Sequence, residues 1–434
     1  MNREAWRAEF SGKRILIWGF GREGRSSLSF IRAICPEVTP DIADGGNLDA
    51  IRAEAKALGA GNVFSQEEAA FSSYDLILKS PGIVIPSGMD CSNLTQQSHL
   101  FLKHQGPQTI GITGTKGKST TSSVTAAILS KGYRTHLIGN IGIPCFDILL
   151  DLSDEDLCVF EISCHQLEYC PYSPRVGVYL NLYEEHLDHY ESFQAYGDAK
   201  ANIFRHQGEG DLAILNAELP YVTERKDALL IGRDININAT SFITPNSVIP
   251  IPETRLIGTH NQMNLAVAWT IAQFYSISQV QFEEAVREFQ PLHHRLEPVG
   301  EYHGIRFVND SISTIGQASI AALNSLPETD VILIGGMDRG IDYRELEDYL
   351  AGRKDLWVIF MYAVGARIYE ELSERSLLHE RMLLAEDLEE AVRIGSAHCR
   401  KGHILLLSPA ASSYDHFKNF EERGEVFARL AEEL

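Results

Sequence analysis

The sequence has no long apolar run and no signal-peptide pattern. Its longest apolar stretches, such as Val331 to Ile334 and Ile404 to Leu407, have the length of a strand, whereas a membrane-spanning helix needs about 20 apolar residues. Arg and Glu interrupt each apolar stretch within the first thirty residues, unlike the apolar core of a secretion signal. We therefore expect a cytoplasmic protein that does not enter a membrane.

Basic residues and cysteines are also in short supply. The 38 Lys and Arg residues stand against 59 Asp and Glu residues, for a formal net charge of −21. Affinity for a phosphate backbone comes from Lys and Arg, so this balance argues against a nucleic-acid partner. The seven cysteines contain no Cys-x-x-Cys spacing and are typical of free thiols in a reducing compartment. A zinc site at Cys164, His165 and Cys170 is the alternative, although its spacing is unusual for zinc.

What remains is the composition of a globular protein, with 44% hydrophobic and 22% charged residues. Strand-length apolar runs alternate with segments of helical period, which predicts an α/β fold with parallel sheets. The chain is interrupted by Gly and Pro near residues 105–107 and again near 291–295. We expect three α/β domains, at residues 1–96, 97–291 and 292–434.

The strongest motif is Gly114-Thr115-Lys116-Gly117-Lys118-Ser119-Thr120, here called the phosphate loop. It lies between a predicted strand, Thr109 to Thr113, and a predicted helix, Thr121 to Ser130. Glycines let backbone N–H groups point at a phosphate, and the helix N-terminus adds partial positive charge. Lys118 can reach the terminal phosphates of a nucleotide, and Ser119 can hold Mg²⁺. The strict pattern fails because Ile112 replaces its first glycine, so a hydroxyl-capped glycine turn is the alternative.

A second glycine loop, Gly19-Phe20-Gly21-Arg22-Glu23-Gly24, also lies between a predicted strand and a predicted helix. Its spacing is typical of dinucleotide sites, and Asp44 at a later strand end is compatible with a ribose contact. The loop fits another phosphate ligand such as UDP equally well, and a simple packing turn is the third interpretation. A nicotinamide-dependent oxidoreductase is therefore a rival function, although no hydride-transfer pattern accompanies the loop.

A carboxylate, an imidazole and an amine follow the phosphate loop in order. Glu161 ends a buried-strand pattern, and His186 follows a later strand end. Lys200 lies in a predicted helix from Ser192 to Phe204. Mg²⁺ prefers oxygen ligands, and the carboxyl ends of parallel strands lie beside the phosphate loop in such folds. Each residue alone is more simply a solvated side chain, but their order predicts a metal and acid–base site.

Several motifs together resemble those of the Mur ligases, and the carboxyl-terminal ones resemble the MurD type of that family. They are the phosphate loop, Gly139-Asn140-Ile141-Gly142, Glu161-x-Ser163-x-x-Gln166, Glu185-His186-Leu187-Asp188, His260-Asn261-x-x-Asn264, Asn309-Asp310-Ser311, Gly335-Gly336-x-Asp338-Arg339-Gly340 and the stretch from Ser408 to Phe420. The resemblance implies a Rossmann-like amino-terminal domain that binds UDP, a central ATP-binding domain and a Rossmann-like carboxyl-terminal domain. It also implies a monomeric ATP-dependent ligase that joins D-glutamate to UDP-N-acetylmuramoyl-L-alanine through an acyl phosphate, in peptidoglycan precursor synthesis.

The resemblance further implies two Mg²⁺ sites and a role for each matching residue. The implied catalytic residues are Lys118, Glu161, His186 and Lys200. The implied metal ligands are Ser119, Glu161, His186 and a carbamylated Lys200. The implied ATP-binding residues are Gly114, Thr115, Lys116, Gly117, Lys118, Ser119, Thr120, Asn261, Asn264, Arg295 and Asp310. Those for the UDP substrate are Gly21, Arg22, Glu23, Asp44, Ser80, Pro81, Gly82, Asn140, Ser163 and Gln166. Those for the amino acid are Thr314, Arg339, Ser413 and Phe420.

Three positions depart from the MurD-type pattern. Lys116 stands where Asn is common, Ile312 where Lys is usual, and Arg339 where a glutamate-binding Lys is expected. Ile312 removes a cation, and Arg339 replaces a point charge with a planar fork. A ligase that adds L-glutamate is therefore the first alternative. A folylpolyglutamate-synthase-like ligase is a more distant one, against which the first glycine loop and the Ser408 to Phe420 motif argue.

Overall fold

The computed structural model describes residues 1–86, 88–90, 92–185 and 189–434. The chain forms two compact units, Met1–Glu253 with Met263–Arg287, and Thr254–Gln262 with Glu288–Leu434. Both units contain parallel sheets covered by helices, so the predicted α/β class is confirmed. The division into three domains stays a prediction. In the described part of the chain, no helix combines the length and apolarity that crossing a bilayer requires.

The first sheet of the first unit is parallel throughout. Its strands are β1 (Ile15–Trp18), β2 (Asp41–Asp44), β3 (Val63–Ser65), β4 (Leu76–Lys79) and β5 (Leu94–Thr95). The helices with it are α1 (Arg3–Phe10), α2 (Arg22–Ile34) and α3 (Leu48–Ala57), and α4 (Gln97–Gln105) follows β5 in the chain. The strand order is β3-β2-β1-β4-β5, so the chain reverses its winding between β1 and β4. Doubly wound sheets bind ligands at the carboxyl ends of such a strand pair.

The second sheet of the first unit is also parallel. Its strands are β6 (Thr109–Thr113), β7 (Thr135–Gly139), β8 (Leu157–Glu161), β9 (Val176–Tyr179), β10 (Leu212–Asn216) and β11 (Leu229–Ile231). The helices with it are α5 (Lys118–Leu129), α6 (Cys164–Leu167) and α7 (Phe193–Arg205). The order β11-β10-β9-β6-β8-β7 places β6 between β9 and β8. The loop after β6 therefore opens where the winding reverses.

A small antiparallel sheet, which the sequence does not predict, follows the second sheet. It contains β12 (Asn236–Ile237), β13 (Ser241–Thr244) and β14 (Ser247–Pro250), and the next helices are α8 (Thr259–Phe274) and α9 (Gln279–Glu288). Phe242 and Ile249 face each other across the sheet and are buried. The Trp269 indole on α8 donates to Ser247 Oγ over 3.0 Å, so the sheet packs on this helix.

The second unit contains one sheet in which only the β15–β16 pair is antiparallel. Its strands are β15 (Glu297–Tyr302), β16 (Ile305–Asn309), β17 (Thr329–Gly335), β18 (Trp357–Met361), β19 (Met382–Ala385) and β20 (Ile404–Leu407). Its helices are α10 (Gly316–Ser325), α11 (Arg344–Gly352), α12 (Tyr362–Glu374), α13 (Leu388–His398) and α14 (Phe420–Glu432). The order β15-β16-β20-β17-β18-β19 puts β20 between β16 and β17. The loops that follow these three strands therefore meet at one edge.

Candidate active site

The phosphate loop joins β6 to α5 through two glycines in the left-handed region. Gly114 has φ +151° and Gly117 has φ +84°. A side chain at Gly117 would come within 3.2 Å of Asn264 Oδ1 on α8. Gly117 is also the N-cap of α5 and has no side chain to cap it. The first-turn N–H groups of α5 are thus suited to an anion.

The side chain of Asn181, two residues after β9, holds the phosphate loop in shape. Its Oδ1 accepts hydrogen bonds from the backbone N–H groups of Thr115 (3.1 Å) and Lys116 (2.8 Å). Its Nδ2 donates to the Lys116 carbonyl over 3.0 Å. The Thr115 hydroxyl accepts from the Tyr183 N–H over 2.9 Å. The sequence motifs assign no role to Asn181, and its position at a strand end is the signal that could have found it.

The half-buried Lys118 and the buried Lys200 converge on one carbonyl of the phosphate loop. Lys118 Nζ and Lys200 Nζ each donate to the Gly114 oxygen over 2.9 Å, and Lys118 also donates to the Thr115 oxygen over 2.9 Å. Burial lowers the pKa of both lysines, and that of Lys200 falls to about 8. The Tyr196 ring lies 4.7 Å from the Lys200 ammonium. The structure therefore brings the predicted Lys118 and Lys200 together.

Glu161 ends β8 and lies beside β6 in the sheet. Its carboxylate is almost completely buried, with 1% of the residue exposed. Oε1 accepts from Asn140 Nδ2 over 3.1 Å, whereas the buried Oε2 has no hydrogen-bond partner among the described residues. A buried carboxylate oxygen without a partner is costly, and a cation would satisfy it. Glu161 therefore fits the predicted role of a Mg²⁺ ligand.

His186 lies outside the described residues. Among those described, no group of three or more His, Cys, Asp or Glu side chains is arranged to hold a metal ion. The alternative zinc site at Cys164, His165 and Cys170 is therefore wrong. Both cysteines of that site are free and buried.

The first glycine loop is shaped by contacts that only glycine permits. A side chain at Gly24 would lie 2.1 Å from the Gly19 oxygen. Asp44 Oδ2 accepts from the Phe20 N–H over 2.7 Å, and its Oδ1 accepts from the Gly46 N–H over 2.7 Å. Asp44 therefore supports the loop backbone in this structure. Gly21 is the N-cap of α2 and has open space around its Cα.

The first glycine loop contacts the strand-end loops of the second sheet. Gln166 Nε2 donates to Glu23 Oε1 over 2.7 Å, and Gln166 Oε1 accepts from the Ser163 N–H over 3.0 Å. Arg22 donates to the Gly142 oxygen over 2.7 Å. Burial raises the pKa of Glu23. Four residues that the resemblance assigns to binding of the UDP substrate thus come together within the first unit. They are Arg22, Glu23, Ser163 and Gln166.

In the second unit, Asp310 connects the loops after β16 and β20. Its carboxylate accepts from Ser313 Oγ (2.5 Å), Ser408 Oγ (2.8 Å) and the Leu296 N–H (3.2 Å). Burial raises the pKa of Asp310 to about 6. The Met337 N–H, after β17, donates to the Ser412 oxygen over 2.8 Å. All three loops therefore meet at one edge, as the strand order requires.

Arg423 on α14 is a further residue of this edge, with no role assigned from the sequence. Its guanidinium is buried and donates to the oxygens of Ser311 (2.7 Å) and Ala411 (3.0 Å). Ser311 Oγ donates to the Phe420 oxygen over 2.8 Å. Arg423 thus ties the loop after β16 to the loop after β20.

The other residues predicted to bind the amino acid or ATP lie on loops of the second unit, on α8 and on α5. Those of the second unit's loops are the half-buried Thr314, the exposed Arg339, the buried Ser413 and Phe420 at the start of α14. Those of the nucleotide set are Arg295 before β15, and Asn261 and Asn264 one turn apart on α8. Ser119 and Thr120 form the first turn of α5 and are buried.

A phosphate loop at the winding reversal of a parallel sheet, beside a buried carboxylate suited to a cation, defines a nucleotide-dependent enzyme. The family model of the Mur ligase middle domain matches residues 112–272. The chain is 30% identical to the UDP-N-acetylmuramoylalanine--D-glutamate ligase of Acidobacterium capsulatum, over 97% of this chain and 96% of that one. It is 33% identical to the UDP-N-acetylmuramoyl-L-alanine--L-glutamate ligase of Salinispora tropica, over 97% and 98%.

The fold agrees with these sequence relatives. MurF from Acinetobacter baumannii matches with a TM-score of 0.65 at 16% identity, over 91% of this chain and 90% of that one. The chain belongs to the Mur ligase family, and the predicted resemblance is confirmed. It is an ATP-dependent ligase that forms a carbon–nitrogen bond, which excludes the oxidoreductase alternative.

Proposed function

We propose that the chain joins glutamate, expected to be D-glutamate, to UDP-N-acetylmuramoyl-L-alanine with conversion of ATP to ADP and phosphate. The observation that carries this proposal is the phosphate loop with Lys118 and Lys200 at its first glycine, in the unit that also contains the winding reversal between β1 and β4. The names of the relatives supply the two substrates. The reaction belongs to peptidoglycan precursor synthesis.

The chemistry requires activation of a carboxylate. The terminal carboxylate of the alanyl group attacks the γ-phosphorus of ATP, ADP leaves, and an acyl phosphate forms. The neutral amine of glutamate then attacks the acyl carbon, loses a proton and expels phosphate. The Lys118 ammonium and the first-turn N–H groups of α5 offset negative charge on the phosphoryl group. Water must be kept from the acyl phosphate, since hydrolysis would waste ATP.

Magnesium is the implied metal, and the buried Glu161 Oε2 fits a cation. Glu161 and Ser119 would hold one ion, and His186 with Lys200 would hold a second. Bound Mg²⁺ would supply positive charge to the transferred phosphoryl group. Burial lowers the pKa of Lys200 to about 8, so a larger fraction of this side chain is free amine at pH 7 than for an exposed lysine. That amine adds carbon dioxide and releases a proton to form the carbamate through which Lys200 would act as an oxygen ligand.

The remaining residues keep the roles that the family resemblance gives them. The phosphate loop with Asn261, Asn264, Arg295 and Asp310 would bind ATP. The first glycine loop, Asp44, the Ser80-Pro81-Gly82 turn, Asn140, Ser163 and Gln166 would bind the UDP acceptor. Thr314, Arg339, Ser413 and Phe420 would surround glutamate. We propose a monomer of three domains, at residues 1–96, 97–291 and 292–434.

Phosphate release provides the test. The purified chain should release phosphate from ATP only when the UDP-muramoyl-alanine acceptor and glutamate are both present, with a ligated product that mass spectrometry identifies. Reactions that lack one substrate at a time are the controls. Phosphate release that is independent of the acceptor, or no release with either glutamate enantiomer, contradicts the proposal.

Addition of L-glutamate is the second candidate function. Ile312 and Arg339 favour it because both depart from the usual pattern near the proposed amino-acid site. The relatives from Salinispora tropica and a Micromonospora strain, 33% and 32% identical, are named as L-glutamate ligases. Parallel assays with D- and L-glutamate decide between the two, and the enantiomer with the higher kcat/KM is the substrate.

A further inference from the structure

Lys79 is a buried cation at the carboxyl end of β4, next to the winding reversal of the first sheet. It pairs in register with Trp18 of β1, and only 2% of the residue is exposed. Among the described residues, no carboxylate lies within ion-pair distance of its ammonium. A buried ammonium without an anionic partner is costly compared with an apolar side chain of the same length.

Three backbone carbonyls take up the hydrogen bonds of this ammonium. Lys79 Nζ donates to the oxygens of Ser80 (3.1 Å), Pro81 (3.0 Å) and Ile83 (2.7 Å). These residues belong to the segment 80–83, here called the Ser80 turn. An ammonium has three protons, so the turn satisfies it completely.

The Ser80 turn is in turn fixed to the first glycine loop. The Ser80 N–H donates to the Trp18 oxygen over 2.7 Å, and Ser80 Oγ donates to the Gly19 oxygen over 3.1 Å. The Ile83 N–H closes the turn onto the Ser80 oxygen over 3.2 Å. The loops after β1 and β4 therefore form one surface at the place where doubly wound sheets bind ligands.

We propose that Lys79 is a positioning residue for the acceptor: its ammonium holds the Ser80 turn against the first glycine loop, so that the UDP group meets a preformed surface. Preformed surfaces bind more tightly because less conformational entropy is lost on binding. This inference rests on the proposed function, since it needs the UDP-muramoyl-alanine acceptor.

The titratable groups around Lys79 are consistent with an ammonium that stays charged and holds the Ser80 turn. Burial lowers the pKa of Lys79 to about 8, and the carboxylates of Glu168 and Glu23 oppose this shift. His99 on α4 also faces it, and burial together with Lys79 lowers the pKa of His99 to about 4. The histidine is therefore neutral near pH 7, and Lys79 keeps most of its charge there.

Two substitutions and one control test the inference. Lys79→Met keeps the length of the side chain and removes all three donors, and Lys79→Gln retains donors without charge. Lys56→Met, at an exposed position on α3, is the matched control. We expect Lys79→Met to raise the KM for the acceptor about tenfold, a free-energy change near that of one or two hydrogen bonds. The KM for ATP and kcat should change less than about twofold, and Lys79→Gln should be intermediate.

Amide hydrogen exchange without substrates gives a readout that does not depend on the proposed function. The amides of Gly82 and Ile83 should exchange faster in Lys79→Met than in the wild type and in Lys56→Met. Faster exchange with an unchanged acceptor KM overturns the inference, as does unchanged exchange. If the KM for the acceptor, the KM for ATP and kcat all worsen to the same extent and the melting temperature falls, Lys79 has a purely structural role. That result also overturns the inference. If Lys79→Met does not fold, Lys79→Gln carries the same comparison. Absence of ligase activity in the wild type contradicts the proposed function instead.

Discussion

Gln166 Nε2 donates a 2.7 Å hydrogen bond to Glu23 Oε1 and so joins the glycine loop of the first sheet to helix α6 of the second. The other Glu23 oxygen, Oε2, is buried and has no hydrogen-bond partner in the part of the chain that the structure describes. Gln166 is thus the side chain that satisfies this carboxyl, and burial raises the pKa of Glu23. This hydrogen bond is a polar contact between the parts of the first unit that carry its two parallel sheets.

Gln166→Leu should lower the free energy of unfolding by about 1–3 kcal/mol, because it leaves a buried carboxyl without its donor. The double variant Glu23→Leu with Gln166→Leu should recover part of this loss, since removal of both partners leaves no polar group unpaired. Urea denaturation of the wild type, both single variants and the double variant measures the coupling. Additive single effects would show that the contact contributes no coupling free energy.

Lys118→Ala should reduce turnover by at least about a hundredfold, because the lysine offsets charge that develops on the transferred phosphoryl group. The thermal unfolding curve should remain cooperative. Lys226→Ala, at an exposed position, is the control and should keep wild-type turnover. Undiminished phosphate release by Lys118→Ala would remove the phosphate loop from the mechanism.

Local patterns were sufficient for the elements that present the site. The predicted bounds of β6 and the strand-length run from Ile404 to Leu407, which forms β20, agree with the structure, because buried parallel strands are short apolar runs that end in Gly, Pro or polar residues. Helix α5 starts at Lys118 rather than at the predicted Thr121. The left-handed Gly117 sets its start, so the first helical turn is itself part of the phosphate loop.

The supporting contacts could not be predicted in this way. These contacts are hydrogen bonds between side chains and backbone groups of loops. Asn181 and Arg423 bond to loops that are distant in the sequence, and Lys79 bonds to the turn that directly follows it. Such convergence depends on strand order and turn geometry, which no spacing rule encodes. The antiparallel sheet of β12 to β14 was missed because its strands are short and only half apolar.

Lys200→Ala should lose most ligase activity, and short carboxylic acids should restore part of it. The reason is that acetate or formate can supply the anionic oxygen that a carbamate on Lys200 would provide. Activity is measured with increasing acetate, and the wild type under the same conditions is the control for inhibition by the acid. A variant that stays inactive at all acetate concentrations would leave Lys200 as an amine that only holds the Gly114 carbonyl.

Asp310 should make the stability of the second unit depend on pH. Its folded pKa is raised to about 6 from an ordinary 3.8, so the folded state binds its proton more tightly than the unfolded state. Its contribution to stability is therefore complete below about pH 4 and is lost as the pH rises through about 6. Asp310→Asn cannot ionise, so the unfolding free energy of the wild type should fall relative to that of the variant between about pH 4 and 6. Urea denaturation at half-unit pH steps measures this difference. A constant difference across that range would mean that the hydroxyls of Ser313 and Ser408 and the Leu296 N–H fully compensate the burial of the charge.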